Sequence, residues 1–185
     1  MRMQASDFNF WTVVGKTAVI HTITYFIMGV AAYNLFDYAA LLSSPTMSCF
    51  MRPATDPVLG LAPVFQPVRG ILFGCVFYLL REVFFRKPGG WLSMWIMLVF
   101  LGMLSTFAPA PGSVEGLIYT TFTFSEHWGG FLEIMAQSLL LAVLTVYWVK
   151  RPGRKWLSRT LLLLFVIVLL LPIAGLLAAL ASGSH

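Results

Sequence analysis

Three ionisable residues, Asp37, Arg69 and Glu133, stand inside or at the edge of long apolar stretches. A charged side chain at the centre of a bilayer costs roughly 2.5–3.5 kcal/mol on insertion scales, so such groups are normally paired or used. Arg69 follows Pro67 by two residues, and proline is best tolerated in the first turn of a helix. If Pro67 opens a helix, Arg69 lies in its first turn, where the helix dipole favours an acid. A guanidinium beside free backbone N–H groups suits a carboxylate or phosphate. The competing reading is a structural ion pair with Asp37 or Glu133.

Glu133 belongs to a stripe, Glu126, Gly130, Glu133 and Gln137, whose spacing places it on one helix face. Gly130 would let a backbone or ligand approach that stripe. A membrane carboxylate in this setting can relay protons, or be neutralised by Arg69. Asn34, Asp37 and Tyr38 close the first apolar stretch at the same level. The candidate binding residues are therefore Arg69, Glu133, Asp37, Asn34, Gln137 and Tyr38.

Other constellations carry less. Glu115, Glu126, His127 and Glu133 supply metal-ligand types, but their spacing matches no compact motif and HExxH is absent, so no metal is assigned. His21, with Tyr25 one turn on, reads as a packed, hydrogen-bonded histidine. Cys49 and Cys75 form no CxxC pair, which argues against thiol–disulfide chemistry. No phosphate-binding loop and no GxSxG elbow occurs, and no cofactor is expected. Gly70 and Gly74 form one GxxxG match, a weak signal for close helix packing.

The elements that must hold these residues follow from composition. The chain of 185 residues is 59% hydrophobic and only 10% charged, whereas soluble domains carry about 25% Asp, Glu, Lys and Arg. A soluble enzyme and a disordered tail are excluded. The net charge of +5 reads as membrane-flanking cations rather than a nucleic-acid surface. A bilayer span needs about 20 apolar residues, and Thr17–Phe36 supplies 20 without a charge. The expected fold is all-α: a single membrane domain over residues 1–185 with about five transmembrane helices. They fall near 17–41, 67–85, 91–108, 128–149 and 160–181, with Pro172 as a kink. The segments 43–66 and 109–127 are the two long loops.

Orientation follows from the cations. With the N-terminus inside, Arg2, Lys16, Arg81, Arg86, Lys87, Lys150, Arg151, Arg154, Lys155 and Arg159 face inward, and only Arg52 and Arg69 face outward. Ten against two is a strong bias under the positive-inside rule. The expected topology is N-in and C-out in the plasma membrane, with a polar vestibule on the outer side. Arg52, Asp56, Gln66, Glu115, Glu126 and His127 add to that side, and His185 is given no role.

Three function classes stay open. One is binding or transport of a small solute or ion through the vestibule. Another is a non-catalytic membrane subunit or assembly factor, and the third is a membrane-embedded enzyme acting on a lipid or exported substrate. The absence of a catalytic motif favours the first two. Lipid is the expected surrounding partner. Five helices enclose little volume, so a second copy or a membrane partner is also expected.

Overall fold

Asn9 starts the first helix by accepting the backbone N–H groups of Trp11 and Thr12 at 2.9 and 3.4 Å, a side-chain N-cap. The computed structural model describes residues 8–49 and 51–182; Arg2, Asp7 and His185 lie outside the described residues. Helix α1, Phe10–Leu35, has 26 residues and begins seven residues before the expected Thr17. Lys16 is the reason. Its Nζ donates to the Trp148 carbonyl at 2.9 Å and lies 5.2 Å from the Trp148 ring centroid. The last carbonyls of a helix lack intrahelical donors, so a lysine there is accommodated rather than excluded.

The far end of α1 also differs from expectation. The helix stops at Leu35 rather than continuing to residue 41, because Asp37 adopts a left-handed backbone (φ 47°) and its carboxylate accepts the Ala40 N–H. Asp37 thus starts a separate short helix, α2 (Tyr38–Leu42), followed by α3 (Pro45–Ser48) and α4 (Pro57–Gly60).

The second long helix, α5, runs Ala62–Leu79, five residues earlier than the expected start at Pro67. Pro63 occupies its first turn, and Pro67 lies within the helix. Gln66 anchors the early turn: its Nε2 donates to the Ala62 carbonyl at 3.2 Å, and its Oε1 meets His21 Nε2 at 3.1 Å. Beyond Leu79 the chain passes through a π-helical turn, Glu82–Arg86.

Helix α6, Gly90–Val99, passes into a second π-helical turn, Phe100–Leu104. The combined segment ends at Leu104, short of the expected residue 108. At about 1.5 Å per residue it is about 22 Å long, shorter than a hydrocarbon core of about 30 Å. After α7 (Val114–Tyr119), helix α8 runs Phe124–Val149. It starts four residues before the expected Trp128, because Glu126 Oε2 accepts the Thr123 backbone N–H at 2.6 Å and the Thr123 hydroxyl at 2.8 Å. Helix α9, Lys155–Ser182, starts five residues early and contains Pro172.

Four helices, α1, α5, α8 and α9, are long and apolar enough to cross a membrane, and Gly90–Leu104 is a shorter apolar helix. No strand occurs among the described residues. The chain is an all-α, multi-pass membrane bundle. Residues 36–49, 51–61 and 105–123 gather at one end of it, hereafter the long-loop end.

Helix α1 is the central element, packed against α5, α8 and α9, while α6 packs on α8. Its buried threonines bond within the helix: Thr17, Thr22 and Thr24 donate to the carbonyls of Val13, Ala18 and Ile20 at 2.8–2.9 Å. The core around Val13, Ile20, Phe77 and Met94 is fully buried. The GxxxG match proves structural. A Cβ on Gly70 would lie 2.6 Å from Ala18 Cα, and one on Gly74 would lie 2.7 Å from Val14 Cα. The pairing steps forward along α5 and backward along α1, so the two helices run antiparallel with backbones in contact. In contrast, α9 leaves Leu162, Leu163, Val166 and Leu170 exposed, an apolar surface suited to lipid.

Candidate functional site

The six candidate residues are divided between two cavities and a helix cap. The larger of these two, about 480 Å³, lies at the long-loop end. Helix α1 contributes Tyr25, Phe26, Tyr33 and Asn34; α2 contributes Tyr38, and α8 contributes Glu133. Met51, Ala54, Leu59 and Gly60, from the segment around α4, complete the wall. Glu133 is the tenth residue of α8, about 13 Å from its start at 1.5 Å per residue. That is deeper than expected, because α8 begins earlier.

The Tyr38 hydroxyl donates to Glu133 Oε2. The left-handed turn at Asp37 makes this bond possible, because it ends α1 and redirects Tyr38 toward α8. Asn34 donates its Nδ2 to the Val30 carbonyl at 2.7 Å. Asp37 does not line this cavity; its carboxylate caps α2.

Arg69 sits elsewhere. It is the eighth residue of α5, about 10 Å along the helix at 1.5 Å per residue, and not in the first turn. Among the described residues it makes no ion pair with Glu133, Asp37 or any other acid. Its guanidinium lies 5.6 Å from the Phe73 ring centroid, a cation–π placement. The expected pairing with Asp37 or Glu133 is therefore corrected: Tyr38 and Ala40 satisfy those two acids.

Arg69 and Gln137 line a smaller cavity of about 60 Å³ together with His21 and Ser138. This cavity lies about one helical turn deeper, since His21 precedes Tyr25 by four residues and Gln137 follows Glu133 by four. The Gln66 carbonyl oxygen accepts from His21 Nε2, so the imidazole proton is on Nε2. His21 Nδ1 is then a buried acceptor with no hydrogen-bond partner among the described residues.

The stripe on α8 turns into the bundle, but its members separate. Glu126 reaches Thr123 and receives the Ser44 hydroxyl at 3.5 Å. Gly130 faces Pro111, whose Cβ would be 3.8 Å from an added Cβ. His127, expected in the polar vestibule, is instead buried, and its Nδ1 accepts the Gly112 N–H at 2.9 Å.

One wall of the larger cavity is stapled by charge. Arg52 Nη1 donates to Asp56 Oδ2 at 2.8 Å, and Asp56 Oδ1 accepts the Val58 N–H at 2.8 Å. The Arg52 hydrogen bond first, then the Val58 N–H, holds the Asp56 carboxyl below the usual carboxylate range. Among the described residues, His, Cys, Asp and Glu side chains form no group of three that could hold a metal ion.

Neither a protein-family model, nor a curated protein, nor a solved structure matches the chain. The functional reading rests on the arrangement of these residues.

Tyr25, Phe26 and Tyr33 line the larger cavity without having been expected there. Their i, i+1 and i+8 spacing on one helix resembles ordinary apolar packing. Only the wall formed by residues 51–60 distinguishes their face as a cavity lining.

Proposed function

We propose that the protein binds a small solute in the larger cavity and carries it across the plasma membrane. The observation that carries this reading is the Tyr38–Glu133 pair in the wall of a cavity of about 480 Å³. Ligand sites are typically about 300–1,000 Å³, mostly apolar, with a few polar groups that fix orientation. A carboxylate on a membrane helix is expensive unless it is used or paired, and here it faces space that a ligand can fill. The smaller cavity extends polar lining toward the bundle interior through Gln137 and Arg69, in the direction a solute would travel. With the N-terminus inside, as the cation bias favours, the larger cavity opens outward.

The test is occupancy. Val30 lines the cavity and is half exposed, so Val30→Cys, with Cys49 and Cys75 replaced by Ser, reports access to a maleimide. A panel of cationic, neutral and anionic solutes is applied, with Gly153→Cys in the exposed turn between α8 and α9 as the control. At least one solute is expected to slow labelling at position 30 and leave position 153 unchanged. If no solute of any charge protects position 30, the site reading is wrong. Flux of a protecting solute into proteoliposomes then tests the transport step.

A further inference from the structure

We infer that the solute taken by the larger cavity is a lipophilic organic cation; this rests on the solute-binding reading above. Charge supplies the first argument. Glu133 is the one carboxylate lining the cavity, and no lysine, arginine or histidine lines it among the described residues. The two arginines closest in sequence to its walls are engaged elsewhere. Arg52 is bonded to Asp56 at 2.8 Å, and Arg69 lines the smaller cavity over Phe73. Glu133 therefore has no cationic partner within ion-pair distance among the described residues. The Tyr38 hydroxyl supplies one hydrogen bond and no charge.

The aromatic lining supplies the second argument. Tyr25, Phe26, Tyr33 and Tyr38 all border the cavity. Ring faces carry negative potential and attract alkylated ammonium or phosphonium groups, most strongly where water is excluded. An anion would meet both the carboxylate and these faces. The apolar remainder, Val30, Leu42, Leu59 and Pro63, calls for an apolar body around the charge. The same chemistry is offered by a free amphiphilic cation and by a choline headgroup of a neighbouring lipid.

Two ions of nearly equal size and opposite charge make the test direct: tetraphenylphosphonium and tetraphenylborate. Equilibrium binding of each to the purified protein in a neutral maltoside detergent is expected to be saturable for the cation and about tenfold or more weaker for the anion. Glu133→Gln keeps a partner for Tyr38 and should weaken the cation about tenfold, whereas Glu133→Asp should retain most of the binding. Tyr33→Leu preserves apolar bulk without a ring face and should weaken it several-fold. An unchanged melting temperature in each variant shows that the fold is intact.

Competition by a choline-headed detergent identifies the headgroup as a source of the shared chemistry. Absence of competition assigns the site to a free solute. Equal binding of the two ions, preference for the anion, or indifference to Glu133→Gln would overturn the cation assignment. If the anion or a neutral solute protects Val30→Cys while the cation does not, the cavity is a solute site of another class. If none protects, both readings fail.

Discussion

Replacing Gly74 with alanine perturbs one of the two close backbone contacts between α1 and α5. The added methyl would lie 2.7 Å from Val14 Cα and 3.1 Å from its carbonyl oxygen. Non-bonded carbons pack at about 3.5–4.0 Å, so α1 and α5 must separate locally by roughly 1 Å. A gap of 0.5–1 Å forfeits about a quarter to a half of each affected attraction, and overpacking a tight interior costs about 1–3 kcal/mol. Alanine's better helix propensity returns at most about 1 kcal/mol. With that full return, the net expected loss is up to about 2 kcal/mol by these terms. Thermal unfolding in detergent, followed by tryptophan fluorescence, should show a fall of up to about 8 °C at about 2–4 °C per kcal/mol. Gly15→Ala is the matched control, because a Cβ there meets nothing within 4 Å; it should be neutral or stabilising by up to about 1 kcal/mol. Equal shifts for the two variants would refute the backbone-contact argument.

Lys16→Ala removes the donor at 2.9 Å from the Trp148 carbonyl and should destabilise by about 1–3 kcal/mol; an unchanged urea midpoint would count against the contact. Asp37→Ala loses both a cap and a residue tolerant of φ 47°, so it should cost about 1–2 kcal/mol. Asp37→Gly should cost less, because glycine accepts the angle, and the order of the two melting temperatures checks this. Asp56 has a lowered carboxyl pKa. Its contribution to the 52–58 turn is therefore present above the unfolded aspartate value of about 3.9 and fades as pH falls through the folded value. Arg52→Ala should raise the Asp56 midpoint in an NMR carboxyl titration, and an unmoved midpoint would contradict the assigned cause.

The membrane class and the existence of four long helices were legible because hydropathy sums over many residues and survives local error. Helix starts were less legible, for identifiable reasons. Counting only uncharged residues excluded Lys16, which a distant carbonyl accommodates. Both Pro63 and Pro67 satisfy the first-turn rule, and the choice between them depends on Gln66 meeting His21 across 45 positions. The start of α8 was missed at Trp128 although its signal was present, since Thr123 followed by Glu126 is a capping pattern. Misplacing the start of α5 put Arg69 in a first turn and suggested an ion pair that the fold does not make. Tyr38 and Glu133 were both recognised as candidates, but their bond spans 95 positions and depends on the reversal at Asp37. Nothing local in the sequence announces a left-handed aspartate.

The cavity bordered by Tyr38 and Glu133 is the proposed solute site. Its most direct measurement is a crystal structure with tetraphenylarsonium, the arsenic analogue of the phosphonium probe, read by anomalous scattering. An arsenic peak is expected inside the larger cavity, bordered by Tyr25, Tyr38 and Glu133, and it should be lost in Glu133→Gln crystals. A peak confined to the lipid-facing surface of α9, or one in the cavity that persists unchanged in Glu133→Gln, would contradict it.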